Sequence, residues 1–368
     1  MKHTVVEGKA VLNIEVPKIV SKEMTIFYNP VMKLNRDLTI AFLEAEGRSL
    51  RISDPLAGTG IRAIRIMNEL HPSVVDSLLV NDGNEHFPAS FKERLKENKV
   101  SDEKIKISNK DASVFLLESP MVDYIDIDPF GSPVPFLDAA VKKIKLGGLL
   151  AVTATDTAAL CGTSVKACRR KYWSEPLRTS VMKEVAVRIL IRRVQLVGAS
   201  EEVALVPVLS YAHEHYFRIF FVRVRGGSDA IDQILKNHKT CYWCSTCQSA
   251  ALEPCKHSST AFGPVWTGTL QNQAKIEKAL KASKEKNAQK FLEGLFLESQ
   301  LDVFGFFDLH AICKVHSLAC PAFSEVISEL EKKKFSARRT IFSVTGIRTN
   351  ASAQELLKIL KKLQRKEK

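Results

Sequence analysis

The residues of this 368-residue chain whose types and spacing could do chemistry are a set of aspartates and a run of cysteines. Asp128 stands in Val122-Asp123-Tyr124-Ile125-Asp126-Ile127-Asp128-Pro129-Phe130-Gly131, at the end of an apolar run. A carboxylate followed by proline and an aromatic ring suits work on the exocyclic amine of a nucleobase. That nitrogen is a poor nucleophile because its lone pair is delocalised into the ring. A carboxylate and nearby backbone carbonyls can accept its two hydrogens and turn the lone pair toward an electrophile, while the aromatic ring fixes the plane of the base. When such a nitrogen takes a methyl group it becomes cationic, and Asp128 is placed to stabilise that charge and take a proton. The plainer reading is that Asp128-Pro129 ends a strand. Asp126 is a rival one strand period earlier, pointing the same way from deeper in the strand.

Three more acids sit where a nucleoside ligand would need them. Asp54-Pro55-Leu56-Ala57-Gly58-Thr59-Gly60 ends a strand and opens a helix, and its glycines permit a tight turn and close backbone approach. The dinucleotide fingerprint is incomplete, because its third glycine would fall at Ala63. An acid at this tip suits the cationic, amine-bearing S-adenosylmethionine (SAM) better than a pyrophosphate. Asp82, which ends the next strand, can hold two ribose hydroxyls through its two oxygens. Asp111, before Ala112, can accept from an adenine amino group, and the Ala112 backbone can complete that edge. Asp111 is also the acid most suited to be a simple helix cap.

The elements that must position these residues alternate. Strand-like runs at Leu50–Ile52, Ser77–Asn81, Ile105–Ile107, Val122–Ile127 and Gly148–Thr153 are each followed by a helix-like one. These helices are Ile61–Leu70, Glu85–Asn98, Ala112–Leu117 and Pro135–Ile144. Pro176–Gly198 reads as a long helix with Val185, Ile189 and Val194 inward and Arg188, Arg192 and Arg193 in water. Strands at Val203–Ser210 and Tyr216–Arg225 follow. The pattern predicts an α/β fold: a Rossmann-like, mainly parallel sheet closed by a hairpin, the plan of SAM-dependent methyltransferases. A composition break at Gly226-Gly227-Ser228-Asp229 precedes the cysteines. Gln271–Asn287 reads as an exposed, lysine-rich helix, and Pro321–Lys368 as a small α/β unit whose last helix, Ala353–Lys366, turns Leu356, Ile359, Leu360 and Leu363 inward. The expected domains are 1–240, catalytic, and 241–368, a smaller C-terminal α/β domain that binds RNA.

Composition narrows the class. No run of eighteen apolar residues exists, so no membrane span is expected, and Met1–Val20 has no secretory h-region. The formal charge is +13, with +7 in residues 165–193 and +9 in residues 331–368. That distribution points to a polyanion.

Several segments together resemble the tRNA (guanine(26)-N2)-dimethyltransferases, most closely the archaeal type. They are Phe27-Tyr28-Asn29-Pro30, Asn35-Arg36-Asp37-Leu38, Gly58-Thr59-Gly60-Ile61-Arg62-Ala63-Ile64-Arg65 and Asn81-Asp82, then Asp126-Ile127-Asp128-Pro129-Phe130-Gly131-Ser132-Pro133, Thr153-Ala154-Thr155-Asp156-Thr157, Leu160-Cys161-Gly162 and Gly263-Pro264-Val265-Trp266. The resemblance implies SAM-dependent mono- and dimethylation of guanine N2 in tRNA, by a cytoplasmic protein with no need to be more than a monomer. It implies that Arg36, Arg62, Asp82, Asp111 and Ala112 line the SAM pocket, Arg36 at the carboxylate. Asp128 would be the catalytic carboxylate, and Phe27 and Phe130 would sandwich a flipped guanine. The basic segments would clamp the tRNA backbone. The alternatives are an amino-methyltransferase on another nucleic acid, such as adenine N6 in DNA or ribosomal RNA, and a non-catalytic RNA-binding protein.

Cys241-x2-Cys244-x2-Cys247-x7-Cys255-x-His257 is a soft-ligand cluster that suits tetrahedral zinc in a structural role. An iron–sulfur cluster is the rival, although polar methyl transfer needs no electron carrier. By the resemblance, Cys244 and Cys247 match a first Cys-x2-Cys pair, and Cys255-x-His257 is a shortened second one. The fourth ligand is then His257 or Cys241.

Overall fold

The computed structural model describes residues 3–14, 28–257 and 259–366. A hairpin, β1 (His3–Glu7) and β2 (Ala10–Ile14), and a helix, α1 (Lys33–Ala45), precede the alternating unit. That unit runs β3 (Leu50–Asp54), α2 (Ile61–Glu69), β4 (Val75–Asn81), α3 (Phe87–Glu97), β5 (Ile105–Ser108), α4 (Ala112–Glu118), β6 (Val122–Ile127), α5 (Leu137–Lys143) and β7 (Ile144–Ala154). After α6 (Thr157–Leu160), α7 (Val165–Tyr172) and α8 (Met182–Ser200), the hairpin β8 (Leu205–His213) and β9 (Tyr216–Arg223) closes the sheet. The strand order is β5-β4-β3-β6-β7-β9-β8, with β9 antiparallel to both neighbours. Every residue of β6 is buried, as the middle of a sheet covered on both faces requires. The strand order reverses between β3 and β6, so the carboxyl ends of these two strands open a crevice.

Two expectations about helices need correction. Helix α8 starts at Met182, not Pro176, because the chain before it is drawn into backbone bonds: Glu175 and Gly263 exchange N–H···O contacts of 2.8 Å in both directions. Arg188, expected in water, is buried. Helix α8 lies between the sheet and a later strand, so Arg188 pairs with Glu184 at 2.8 Å and donates to the carbonyls of Trp266 and Gly268 at 3.0 Å.

Helix α9 (Gly227–Leu235) begins at the composition break, and its Ile231 and Ile234 enter the same core as one face of the central sheet. A three-stranded sheet follows: β10 (His238–Cys244), β11 (Ser249–Ala251) and β12 (Ser259–Trp266), in the order β11-β10-β12. The expected 240/241 boundary falls inside β10, whose Cys241 and Trp243 belong to that same core. The segment expected as one exposed helix at Gln271–Asn287 is instead α10 (Gln273–Ala282) and the start of α11 (Lys286–Ser299). Ile276 and Ala279 are fully buried, and α10 packs on α1, so this lysine-rich stretch has an apolar face.

The remaining elements are β13 (Phe307–Asp308), α12 (Leu309–Val315), α13 (Phe323–Lys332), β14 (Ala337–Arg339), β15 (Gly346–Thr349) and α14 (Ala353–Lys366). They enclose a core of their own, into which Leu356, Ile359, Leu360 and Leu363 point as their spacing predicts. Arg348 of β15 fastens this unit to the rest, with Glu184 at 2.8 Å and Glu298 at 2.9 Å.

Candidate active site

A cleft of about 460 Å³ opens at the crevice between β3 and β6, within the usual range for a small-molecule site. Asp54, Gly58, Thr59, Arg62, Asp128 and Phe130 line it, together with Tyr28, Arg36, Thr155, Asp156, His215 and Tyr216. The structure therefore brings together most of the residues singled out above. Gly60 lies just behind the wall, at φ +75°, where it caps α2. A Cβ on Gly60 would lie 2.3 Å from the Phe91 ring, so the turn excludes any larger residue.

Asp82, Asp111 and Ala112 are not among the residues that line the cleft. Asp82 braces the glycine turn: its Oδ2 accepts from Gly58 N at 2.8 Å and its Oδ1 from Asn84 N at 3.0 Å. Asp111 caps α4, accepting from Ser113 N at 2.9 Å and Val114 N at 3.1 Å. Ala112 is buried behind it. Phe27 lies outside the described residues.

Asp54 is the most unusual acid of the cleft. It is 2% exposed, and its Oδ2 has no hydrogen-bond partner among the described residues. Burial pushes its carboxyl up to about 7, with Arg62 opposing and the charges of Asp126, Asp128 and Asp82 adding. An orphaned, buried carboxylate oxygen in a cleft fits a cationic ligand.

Asp126, in β6, and Asp128, just past its end, differ sharply, although both meet Arg62. Asp126 is fully buried and closed in a fork by Arg218, with both contacts 2.7 Å, and it also meets Arg62 at 3.1 Å and the Tyr124 hydroxyl at 2.6 Å. Burial would raise its pKa, but the two guanidiniums hold it below the usual carboxylate range. Asp128 is 14% exposed and ion-pairs with Arg62 through Oδ2 alone. Among the described residues its Oδ1 has no protein partner, so one oxygen remains for a ligand. Arg62 Nη1 is further held by Asn35 Oδ1 at 3.0 Å and Thr39 Oγ1 at 2.8 Å. The loop after Asp128 is pinned as well: Gly131 N donates to Thr155 Oγ1 at 2.6 Å and Thr155 N to Gly131 O at 2.9 Å. Phe130 stands at the rim with 47% of its surface exposed.

The guanidinium of Arg36, expected to meet a SAM carboxylate, is closed on Glu7 at 2.6 and 2.5 Å, and Nη2 also donates to Asn29 O at 3.1 Å. Burial alone would raise the Glu7 pKa, but Arg36 and Arg65 hold it down at about 2. Glu7 went unrecognised in the sequence because it is a lone acid in an N-terminal hairpin, far from every motif. Thr155 and Asp156 stand in a segment quoted for the resemblance, but nothing in residue type alone showed that Thr155 pins the loop after Asp128 and Asp156 binds Tyr172. Asp156 Oδ1 accepts from the Tyr172 hydroxyl at 2.6 Å, and that hydroxyl also meets Ser132 Oγ at 3.0 Å.

The cysteine cluster lies apart, in the β10–β11 turn and the loop before β12. The donor atoms of Cys244, Cys247, Cys255 and His257 all lie within 4.8 Å of one another. Four of their separations are 3.3–3.7 Å, the edge lengths that a tetrahedral ion with bonds of about 2.0–2.3 Å produces. Cys241 is not part of this group: it is buried, with Sγ 3.7 Å from Lys239 O.

Residues 8–361 match the family model described as N2,N2-dimethylguanosine tRNA methyltransferase. The chain is 36% identical to the Aquifex aeolicus tRNA (guanine(26)-N(2)/guanine(27)-N(2))-dimethyltransferase over 95% of its length and 93% of the relative's. It is 35% identical to the tRNA (guanine(26)-N(2))-dimethyltransferase of Methanobrevibacter smithii over 98% and 97%. Among solved structures it resembles Trm1 from Pyrococcus horikoshii in complex with SAM, with a TM-score of 0.85, 32% identity, and 97% and 99% of the two chains covered.

Proposed function

The chain belongs to the N2,N2-dimethylguanosine tRNA methyltransferase family, and on that premise we propose that it methylates N2 of guanine 26 in tRNA, once and then again, with SAM as donor. The observation that carries this reading is the division of labour at Asp128: one oxygen is held by Arg62 and the other is open to the cleft that the orphaned Asp54 also faces.

Bound SAM supplies an electrophilic methyl group on a sulfonium. The glycine turn and Asp54 line the part of the cleft suited to that cation. Asp128 Oδ1 accepts an N2 hydrogen of the guanine, turns the lone pair toward the methyl group, and takes the proton as the N–C bond forms and the C–S bond breaks. Pairing with Arg62 fixes the carboxylate in place through the displacement. The Phe130 ring, on a loop locked by Thr155, stacks on the base and sets its plane. Phe27 would cover the other face. A base in this position must leave the tRNA stack, at a cost of about a few kcal/mol. The basic 165–193 and 331–368 segments supply the backbone contacts that offset it. We assign Cys244, Cys247, Cys255 and His257 to a structural zinc that ties the β10–β11 turn to the following loop. Among the described residues no helix is long and apolar enough to cross a membrane, and we place the protein in the cytoplasm, where such thiols stay reduced.

Incubation with methyl-labelled SAM and unmodified tRNA, followed by digestion to nucleosides, tests the reading. Label in N2-methylguanosine and then N2,N2-dimethylguanosine is expected. Label in another nucleoside, or in none, overturns it.

A further inference from the structure

Trp173 follows directly on α7, whose last residue, Tyr172, is anchored to the cleft wall. It is 57% exposed, against 5% for each of the other two tryptophans of the chain, Trp243 and Trp266. An apolar ring of that size in water is unusual for a residue that contributes nothing to the core. Its backbone is unusual too. At φ +53° and ψ +45° it occupies the left-handed region that favours glycine. Helices often end on such a residue, but a bulky aromatic there is strained and persists only where its surroundings hold it.

The surroundings do hold it. Arg193 stacks its guanidinium over the Trp173 ring at 3.9 Å, and Arg192 Nη1 donates to the Trp173 carbonyl at 3.0 Å. On one side of it Tyr172 binds Ser132 and Asp156; on the other, Ser174 Oγ donates to Pro264 O at 2.9 Å. The ring is a rigid plate, one residue from a side chain that touches both the Asp-Pro-Phe-Gly-Ser loop and the cleft wall. Arg169, Arg170 and Lys171, all exposed, lie in the turn immediately before it.

We propose that Trp173 is a stacking platform for a base of the tRNA flanking the flipped guanine, with the cations of α7 binding the phosphates on either side. This rests on the tRNA reading above and adds to it an aromatic contact outside the catalytic cleft. A flat, pre-ordered ring loses little freedom on binding, and every nucleobase offers a face to it whatever its identity. Arg193 beneath the ring makes it a two-sided stack: cation, indole, base. Removal of the flanking base from its neighbour is the disruption that extrusion of the target requires, so a plate one residue from the side chain that bonds Asp156 of the cleft wall gives that base a new partner.

The other two tryptophans are buried, so the exposed component of the intrinsic fluorescence reports on Trp173. Unmodified tRNA should quench that component and shield it from acrylamide, whereas inorganic polyphosphate at equal charge should not. Trp173→Leu should raise KM for tRNA by roughly 5- to 150-fold, the range that loss of one base–aromatic stack implies. The KM for SAM should stay unchanged and the melting temperature should fall by no more than about 2 °C, the loss of the Arg193 stack, and Trp173→Phe should restore most of the tRNA affinity. No quenching by tRNA, equal quenching by polyphosphate, or a Leu variant with wild-type KM for tRNA overturns the proposal. Methyl transfer to tRNA by the wild-type protein in the same preparation separates this failure from that of the reading beneath it: transfer without quenching sinks the platform alone, and absence of transfer sinks both.

Discussion

Asp126, near the end of β6, and Asp128, just beyond it, both touch Arg62, and the reading proposed above gives them different duties. Replacing each with the isosteric asparagine separates these duties. In Asp126→Asn, Arg218 loses the only carboxylate it ion-pairs with among the described residues, while both remain 0% exposed. An uncompensated buried charge of this kind costs about 3–5 kcal/mol. At roughly 1–2 °C per kcal/mol for a chain of this length, the melting temperature should fall by about 5 °C. In Asp128→Asn, Arg62 keeps Asp126, Asn35 and Thr39 as partners, so the stability loss should be only about 1–2 kcal/mol. The chemistry should behave the other way. An amide cannot take the proton from N2, and loss of a positioned general base costs about 10²–10⁴ in kcat. SAM affinity should survive, because on the proposed reading the cationic part of the donor faces Asp54 and not Asp128. Thermal melts, calorimetric SAM binding and label transfer to tRNA, run on both variants, give the comparison. An Asp128→Asn enzyme with kcat within tenfold of wild type refutes the assignment. An Asp126→Asn protein as stable as wild type refutes the scaffold half of the argument.

Two further outcomes follow from the same geometry. Asp54 has a folded-state pKa near 7 against 3.8 in the open chain, so the stability this group contributes is full below about pH 4 and is lost as pH rises through 7. A bound cation favours the ionised form, so SAM affinity should weaken about tenfold per unit of pH below about 7 and become flat in Asp54→Asn; a wild-type affinity independent of pH between roughly 5.5 and 8 would falsify this. For the cysteine group, purified protein should carry one zinc per chain, His257→Ala should lose it, and Cys241→Ala should keep it. Metal-free wild-type protein, or loss of metal from the Cys241 variant alone, contradicts the ligand set.

The parallel sheet was legible because each of its strands is a short apolar run with a helix behind it, and periodicity records that directly. The acids at the tips were legible because they interrupt apolar runs. What they do there was less so. Asp111 and Asp82 have their local duties, a cap and a turn brace, fixed by backbone N–H groups whose direction no residue pattern encodes. Arg188 misled for a related reason. A guanidinium on the polar side of an amphipathic helix looks solvated until a second layer, here the end of β12 and the turn after it with the carbonyls of Trp266 and Gly268, covers that side. The lysine-rich α10 reads as exposed by composition, yet Ile276 and Ala279, three residues apart, are enough to seat it on α1. Glu7 was invisible because its partners, Arg36 and Arg65, come from two different helices.

The net charge of +13 takes on a definite arrangement once the interior is known. Among the described residues seven arginines and nine acids are buried, so the interior holds no basic excess, and the excess lies outside it. Each of the two basic segments gives one arginine to the interior, and both meet the same acid. Arg188, from the segment beside the cleft, binds Glu184 Oε1, and Arg348, from the C-terminal segment, binds Glu184 Oε2, both at 2.8 Å. Arg348 also reaches Glu298 and the carbonyls of Val303 and Gly305, so the charges of two arginines and two glutamates are mutually compensated. A buried cluster in which each charge is compensated resists separation, because parting it would leave at least one ion unpaired in the interior. The two cationic surfaces are therefore held at a fixed distance and angle. On the reading proposed above, such a pair favours a polyanion whose phosphates are already arranged in space over an extended strand.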